Sequence, residues 1–391
     1  MSSRSPLANV ALLAIGPALG LGIARFAYAL VLPAMKVDLG WTYAMSGFIN
    51  TVNAFGYLAG ALLSGWMNRR FASRNVFVAG TFLTILSILG PGFVHQLALI
   101  SLFRFLAGYG AAMTFISGGA IAAGMARSYA GRSGFLIGMF YAGPGFGIAL
   151  SGLIVPGLVA HVGPQNWQQV WIALGISSLI LGLPSLAGLA GTATSAIRLD
   201  PDTPVSHLRL VRIRAILSAY VAYGAGTIAY MTFMFAYVGQ SGRGAAALSL
   251  FWFVIGAAVM SSPWIWARLM TNLGGGKAFS VLAGINAFGA ILPLLSGHYL
   301  VSLASALVFG SCFLSVVAST TAFVHRNAGS HDFARMIAVF AAAFGLGQAL
   351  GPILTGALTD WSGSLFVGLA VGGLLITTAS LVALLQKDIA R

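Results

Sequence analysis

Charged side chains are scarce along this chain. They make up 7% of its 391 residues, whereas 59% of the residues are hydrophobic. A soluble globular domain carries about 25% charged residues, so this composition excludes an ordinary soluble protein and predicts an integral membrane protein. Glutamate is absent, and the six acidic residues are all aspartate, against 20 lysines and arginines.

Cysteine occurs once, at Cys312, which excludes an intramolecular disulfide and a metal site built from several cysteines. The sequence also has no phosphate-binding glycine-rich loop, no cluster of metal-ligating residues and no nucleophile paired with a base. These absences exclude an ATP-driven pump within this chain. We therefore predict that the protein is not an enzyme and that it uses neither a cofactor nor a metal.

No aspartate lies deep within an apolar run. The six aspartates fall at the ends of such runs or between them, at Asp38, Asp200, Asp202, Asp332, Asp360 and Asp388, and the six histidines do the same. Ionisable residues inside a membrane usually mark ion pathways or ligand sites. This chain therefore has no carboxylate at the membrane centre to carry a proton or to bind a cationic drug.

Hydropathy predicts twelve membrane-spanning helices, because roughly 20 apolar residues cross a bilayer core. Runs of this length also exclude the strands of a membrane barrel. The predicted spans are 8–36, 43–68, 75–94, 97–126, 133–161, 168–190, 212–239, 245–270, 277–296, 299–326, 333–359 and 363–386. A polar linker at 191–211 divides the chain into an N-terminal six-helix bundle (1–190) and a C-terminal six-helix bundle (212–391).

The basic residues predict the orientation. With the N-terminus inside, sixteen of the 20 lysines and arginines fall on the cytoplasmic side and two on the other, while Arg25 and Arg104 lie within spans. This imbalance is the positive-inside signal, so both termini and the linker are predicted to be cytoplasmic in a bacterial inner membrane. The net charge of +14 therefore follows from topology and does not indicate nucleic acid. The first span resembles a signal peptide, but its apolar continuation to Met35 favours a retained helix.

Two pairs of spans repeat at one offset. Span five and span eleven share Phe140/Phe344, Gly143/Gly347, Gly147/Gly351, Ser151/Thr355 and Gly152/Gly356, and spans one and seven share Gly20/Gly224, Gly22/Gly226 and Phe26/Tyr230. Every pair is 204 residues apart. Small residues four apart let helices approach closely, so convergent packing imitates part of this similarity. One offset shared by two helix pairs nevertheless favours an all-α fold of two parallel six-helix repeats.

One arginine stands out within the first span. Arg25 lies near the middle of the apolar run 16–35, and the nearest carboxylate is thirteen residues on, at Asp38, or roughly 20 Å along a helix. A cation at this depth is costly and should face the bundle interior or a water-filled cavity. An unpaired buried cation favours a role in substrate binding or coupling. The alternative is an arginine that caps backbone carbonyls at a helix break around Gly20 and Gly22.

Two motifs resemble the major facilitator superfamily. In span four, Arg104-Phe-Leu-Ala-Gly-Tyr-Gly is similar to the family's fourth-helix signature of an arginine followed by glycine-x-glycine. In span five, Gly143-Pro144-x-x-Gly147 resembles the fifth-helix glycine–proline motif. The resemblance implies two six-helix bundles that rock about a central site, with alternating access. In this family, the arginine in span four serves proton coupling or helix packing.

The loop between spans two and three matches the family in part. It reads Gly65-x-x-x-Arg69-Arg70-Phe-Ala72-Ser-Arg74. The family normally carries an aspartate and a glycine where this chain has Arg69 and Ala72. This departure weakens the expectation of the usual charge-pair gate between the halves, although the basic loop, with Arg70 as a gating candidate, remains.

Two further motifs resemble the YbfB/YjiJ-like subgroup of the superfamily. Gly-Ile-Ala-Arg25-Phe-Ala-Tyr28 lies in span one, and Gly347-Gln348-x-x-Gly351-Pro lies in span eleven. This subgroup implies transport but supplies no substrate. The resemblance places Tyr28 beside Arg25 at the central site.

Polar residues of other spans complete the predicted site. Asn53 comes from span two, and Tyr223 and Tyr230 recur at helical spacing in span seven. A tyrosine joins an apolar body to a hydroxyl, which suits a cavity for a small organic anion, although tyrosines also anchor helices at interfaces. Gln348 replaces the proline of the other half and should find either a ligand or a neighbouring helix as its partner.

These observations predict a secondary transporter. The substrate is predicted to be a small organic anion, a carboxylate with an apolar body, moved by proton symport or anion exchange with Arg25 as charge receptor. Arg104, Gly143, Pro144, Gly147 and Arg70 are the predicted coupling or gating residues. The alternative is a proton-coupled efflux pump for neutral or anionic amphiphilic compounds, because the glycine–proline motif is common in exporters. We expect a monomer in the lipid bilayer.

Overall fold

The structure, a computed structural model, describes residues 5–127, 133–189, 207–328 and 333–389, and within these ranges it contains helices and no strand. Residues 191–206 of the predicted linker lie outside the described residues, and its last five residues, 207–211, belong to a short helix. The α-helices are α1 Pro6–Leu13, α2 Ile15–Pro17, α3 Tyr28–Asp38, α4 Tyr43–Phe71, α5 Ser73–Leu89, α6 Leu97–Arg127, α7 Ser133–Val162, α8 Trp167–Ala187, α9 His207–Arg212, α10 Arg214–Gly239, α11 Ala245–Ile265, α12 Ala267–Asn272, α13 Lys277–Leu295, α14 Tyr299–Asn327, α15 Phe333–Ser362 and α16 Leu365–Ala383.

Eleven helical stretches in the described ranges are long and apolar enough to cross a membrane. The predicted all-helical class is therefore confirmed. Helix α4 is 29 residues long, but it is not one of the eleven, because polar residues such as Asn50 and Asn53 lower its hydropathy. The twelfth span stays a prediction.

The first span changes helix type in its middle. It runs from Pro6 to Asp38, and Ala18–Arg25 forms a π-helix between α2 and α3. A π-helix is rare, and it often marks a functional site. The predicted break around Gly20 and Gly22 is therefore a segment of wider helix that ends at Arg25.

The chain divides into two compact units. Unit one contains the described residues of Met1–Trp41, Val52–Arg198 and Gly244–Trp264, and unit two contains those of Thr42–Thr51, Leu199–Arg243 and Ile265–Arg391. Two pieces group differently from the predicted bundles, since 42–51 belongs to unit two and 244–264 to unit one. The predicted boundaries at 1–190 and 212–391 stay a prediction.

Glycines allow close helix contact inside each unit. In unit one, a methyl group added at Gly147 of α7 would lie 2.8 Å from the Cα atom of Gly22 in the π-helix. In unit two, a methyl group at Gly351 of α15 would lie 2.6 Å from the Cα atom of Ala225 in α10. Real Cβ atoms do not approach this closely, so both positions require glycine for their packing.

The two glycine pairs meet their partner helices in different registers. The carbonyl oxygens that the added methyl groups would meet are those of Ala14 for Gly143, Ala18 for Gly147, Val221 for Gly347 and Ala225 for Gly351. The glycines are 204 residues apart, whereas their partners are 207 apart. Relative to the 204-residue repeat, the contact on the first span therefore lies three residues nearer the N-terminus than the corresponding contact on α10.

Unit two joins the start of α4 to the end of α15. The carboxylate of Asp360 accepts hydrogen bonds from the backbone N–H groups of Tyr43 at 2.9 Å and of Ala44 at 2.8 Å. These are orphan donors at a helix N-terminus, where a negative charge is favourable. A residue 316 positions from Ala44 in the sequence thus caps α4.

Candidate functional site

Arg25 is buried in unit one at the end of the π-helix. Its side chain is 4% exposed, and its Nε and Nη2 atoms have no hydrogen-bond partner among the described residues. The guanidinium carbon lies 5.5 Å from the ring centroid of Tyr57 and 5.7 Å from that of Phe26. An aromatic face attracts a cation, but it does not accept the hydrogen bonds of a guanidinium edge. Arg25 therefore keeps donor atoms available for a ligand.

Arg104 is buried next to the same segment but is used differently. Its Nη1 donates to the carbonyl oxygen of Ala24, and its Nη2 donates to that of Arg25 at 3.3 Å. Its guanidinium carbon also lies 4.7 Å from the ring centroid of Tyr28. Arg104, on α6, thus caps carbonyl groups at the end of the π-helix. The capping of backbone carbonyls, which the sequence suggested as the alternative role of Arg25, is performed by Arg104.

Asn53 connects α4 to the same part of α6. Its side chain is fully buried, and its Nδ2 donates to the carbonyl oxygen of Arg104 at 2.9 Å. Its Oδ1 has no hydrogen-bond partner among the described residues. The structure therefore places four of the predicted residues, Arg25, Tyr28, Asn53 and Arg104, around one contact between the π-helix, α4 and α6.

The cations of this cluster have no carboxylate partner among the described residues. The three described aspartates accept hydrogen bonds elsewhere: Asp38 from Trp167, Asp360 from Tyr43 and Ala44, and Asp388 from Gly275 and Asn327. Burying an unpaired charge is costly. A bound anion would neutralise part of this charge and supply acceptors for the unused donors of Arg25.

The predicted residues of the C-terminal half lie in unit two. The Tyr223 hydroxyl donates to the carbonyl oxygen of Phe313 at 2.8 Å. The Tyr230 hydroxyl lies 2.8 Å from the Ser305 hydroxyl. Both tyrosine hydroxyls therefore have partners on α14. The Oε1 atom of Gln348 is buried and has no hydrogen-bond partner in the part of the chain that the structure describes.

The predicted gating residues of the N-terminal half occupy two places. Gly143, Pro144 and Gly147 lie in α7 beside the first span, and a methyl group added at Gly22 would lie 2.8 Å from the Pro144 carbonyl oxygen. Arg70 is exposed at the end of α4, with its guanidinium carbon 5.8 Å from the Phe71 ring centroid. Arg70 is thus separate from the buried cluster.

Tyr57 is a member of the cluster that the sequence pattern did not single out. It lies four residues after Asn53, and residues four apart share one face of a helix. This spacing was the feature of the sequence that could have identified Tyr57.

The hydrogen bond between the Asn50 Nδ2 atom and the Thr232 hydroxyl, at 2.6 Å in unit two, had no comparable signal in the sequence, because the two residues are far apart along the chain.

Comparison with known families gives a match over most of the chain. The model of the family described as "Uncharacterised MFS-type transporter YbfB" matches residues 17–384. One curated relative is the "Probable sulfoacetate transporter SauU" of Cupriavidus necator, which is 26% identical over 161 residues. That alignment covers 40% of this chain and 35% of the relative.

Solved structures share the fold. The nucleoside transporter NupG, crystallised as a point mutant, superposes with a TM-score of 0.72 at 12% identity and covers 96% of this chain and 98% of its own. A bacterial homologue of the human lysosomal transporter Spinster, described as inward-facing and unoccupied, gives a TM-score of 0.69 at 13% identity, with 98% of each chain covered. At these identities the similarity concerns the fold alone.

Proposed function

We infer a transport function, because the chain belongs to the YbfB-type family of the major facilitator superfamily. The resemblance noted in the sequence is thereby confirmed. With eleven candidate spans among its described residues, the protein is a multi-pass membrane protein. Its family and its structural neighbours consist of transporters rather than enzymes.

We propose that the protein moves a small organic anion, with Arg25 as the charge receptor. The observation that carries this proposal is the buried guanidinium of Arg25, whose Nε and Nη2 atoms have no partner among the described residues. A guanidinium edge binds a carboxylate through two parallel hydrogen bonds. The similarity to a transporter described for sulfoacetate, an organic anion, also supports an anionic substrate. That similarity covers only part of each chain.

The proposed mechanism is alternating access between two six-helix bundles. The shared offset of 204 residues and the glycine contacts in each unit support two repeats of six spans. The positive-inside count supports cytoplasmic termini in a bacterial inner membrane. The substrate is transported by proton symport or by exchange for a second anion. Arg104 holds the π-helix carbonyls and so positions Arg25 during the cycle, and the protein acts as a monomer.

Efflux of amphiphilic compounds is the second candidate. Its support is the Gly143-Pro144 motif in α7, which packs against the first span. An efflux site for neutral compounds would have no use for an unpaired cation. The response of Arg25 variants to anionic and neutral ligands therefore separates anion transport from efflux of neutral compounds.

The test is ligand binding to purified protein by calorimetry, with carboxylates, sulfonates and neutral amphiphiles as probes. Arg25→Ala should abolish anion binding. Arg25→Lys keeps the charge but loses the forked contact, and it should weaken binding by about 1–3 kcal/mol. Arg268→Ala, which removes an exposed arginine of unit two, is the matched control and should bind as the wild type does. Undiminished anion affinity in Arg25→Ala would refute the anion-receptor proposal and favour the efflux function.

A further inference from the structure

We propose that Asn53 accepts a hydrogen bond from the substrate, so that the transported anion is a 2-hydroxycarboxylate. This inference rests on the proposed function, since it concerns the same site as Arg25. It adds the second polar group of the ligand and a residue that distinguishes hydroxylated from unsubstituted acids.

The orientation of the Asn53 amide is fixed by its surroundings. Its Nδ2 donates to the Arg104 carbonyl oxygen at 2.9 Å. The reversed amide would bring two oxygen atoms together, because a carbonyl oxygen only accepts hydrogen bonds. The Oδ1 atom is therefore the free end of the amide. It is buried and has no hydrogen-bond partner among the described residues.

The free acceptor lies in the same cluster as the free donors of Arg25. Asn53 and Tyr57 lie one helical turn apart on one face of α4. The Arg25 guanidinium carbon is 5.5 Å from the Tyr57 ring centroid. Arg104, whose carbonyl holds Asn53, also donates through its side chain to the Arg25 carbonyl oxygen. One region of unit one thus contains an unpaired acceptor and unpaired cationic donors.

A ligand that pairs all these atoms needs both an anionic group and a hydrogen-bond donor. The carboxylate would bind the guanidinium of Arg25, and an adjacent hydroxyl would donate to Asn53 Oδ1. An ammonium group is a poorer donor here, because the guanidinium groups of Arg25 and Arg104 would repel it in a medium of low dielectric. An unsubstituted carboxylate would leave the buried amide oxygen unpaired, which is costly.

Asn286 in unit two provides a matched control. Its Nδ2 donates to the Phe309 carbonyl oxygen at 2.8 Å, and its Oδ1 is also buried without a partner among the described residues. Asn286→Ala and Asn53→Ala therefore remove the same kind of contact between an asparagine and a neighbouring helix. Asn286 lies in unit two, whereas Arg25, Asn53 and Arg104 lie in unit one. The loss of Asn286 should therefore affect stability without affecting ligand choice.

The experiment measures the affinity of purified full-length protein for matched pairs of probes: glycolate with acetate, lactate with propionate, and malate with succinate. Alanine serves as the ammonium counterpart of lactate. In each pair that binds, we expect the hydroxylated acid to bind roughly 10- to 100-fold more tightly, the effect of satisfying one buried acceptor. Asn53→Ala should reduce this ratio to about one by weakening only the hydroxylated acid, and Asn286→Ala should keep it.

The outcomes separate this inference from the proposed function. Equal affinity for both members of every pair in the wild-type protein would overturn the role of Asn53 and leave the anion receptor intact. A preserved ratio in Asn53→Ala would overturn it as well. Absence of binding by any anion would overturn both proposals. The wild-type ratios remain decisive even if Asn53→Ala does not fold.

Discussion

The stability of the protein should respond differently when each of the two buried arginines is replaced by methionine. Methionine has a similar length and fills an apolar site, so the substitution removes the charge with little loss of packing. Arg25 leaves two nitrogen atoms without partners among the described residues, whereas Arg104 donates to two backbone carbonyls. Their environments therefore predict different changes in the free energy of unfolding.

Arg25→Met should leave the protein equally stable or stabilise it. Replacing a buried ion pair by apolar residues of similar volume is often neutral or stabilising by about 1–4 kcal/mol, and we expect a similar gain when a buried charge without an ionic partner is replaced. The loss of the contacts with Tyr57 and Phe26, at 5.5 and 5.7 Å, offsets part of this gain by roughly 0.5–2 kcal/mol. Methionine stacks well on aromatic rings and keeps some of that contact.

Arg104→Met should destabilise the protein. It leaves the buried carbonyl oxygens of Ala24 and Arg25 without their donors, at about 1–3 kcal/mol each. It also removes a cation from the Tyr28 ring at 4.7 Å. After allowing for the relief of burying one charge, we expect a net loss of about 2–5 kcal/mol, in the range for disrupting a buried polar network.

The assay is thermal unfolding of both variants in one detergent, together with anion binding. We expect Arg25→Met to melt at or above the wild-type temperature and to lose binding, which is the usual sign of a functional residue kept at the expense of stability. Arg104→Met should melt lower. If Arg25→Met melts as low as Arg104→Met, Arg25 is a structural tie and the reasoning from its unpaired nitrogens is wrong.

The remaining predictions concern packing, capping and orientation. Gly147→Leu and Gly351→Leu should lower expression or transport, because each leucine would collide with a neighbouring backbone. Gly157 has open space around it, so the control variant Gly157→Leu should be tolerated. Equal transport by all three variants would show that close helix approach is unimportant. Asp360→Asn keeps one acceptor oxygen but removes the charge and the second acceptor of the α4 cap. It should cost about 1 kcal/mol and lower the melting temperature, and an unchanged melting curve would contradict this. A reporter active only in the periplasm should be silent when fused after the last residue and active in the loop 161–167, and the reverse result would overturn the orientation.

The sequence was sufficient for features that depend on composition and spacing. Long apolar runs predicted the helices, and the unusual position of Arg25 within one such run was enough to identify it as a buried cation. The repeated glycines Gly147 and Gly351 were also correctly expected at close helix contacts. These features depend on local properties of the chain, which hydropathy and helical periodicity report directly.

Features that depend on partners distant in the sequence were not predictable. Nothing in the span containing Arg104 indicates that its side chain reaches carbonyls some 80 residues earlier. The cap of α4 by Asp360 is equally invisible, because any aspartate at a helix end could serve locally. The free Oδ1 of Asn53 follows only from the position of the Arg104 carbonyl.

The π-helix makes the exact number of residues in the first span important for the direction of Arg25. A π hydrogen bond encloses one more residue than an α-helical one, and each residue of an α-helix accounts for about 100° of rotation. Deleting a single residue between Ala18 and Ala24 would allow the segment to become α-helical. Because the α-helix turns further per residue than the wider π-helix, the shortened segment would turn through nearly the same total angle, and Arg25 would stay directed toward Tyr57. A one-residue gap in this run, in an alignment of relatives, would therefore mark proteins that have an α-helical first span and still present the arginine on the same side, whereas a one-residue gap in an α-helical part of the span would turn the arginine by about 100°.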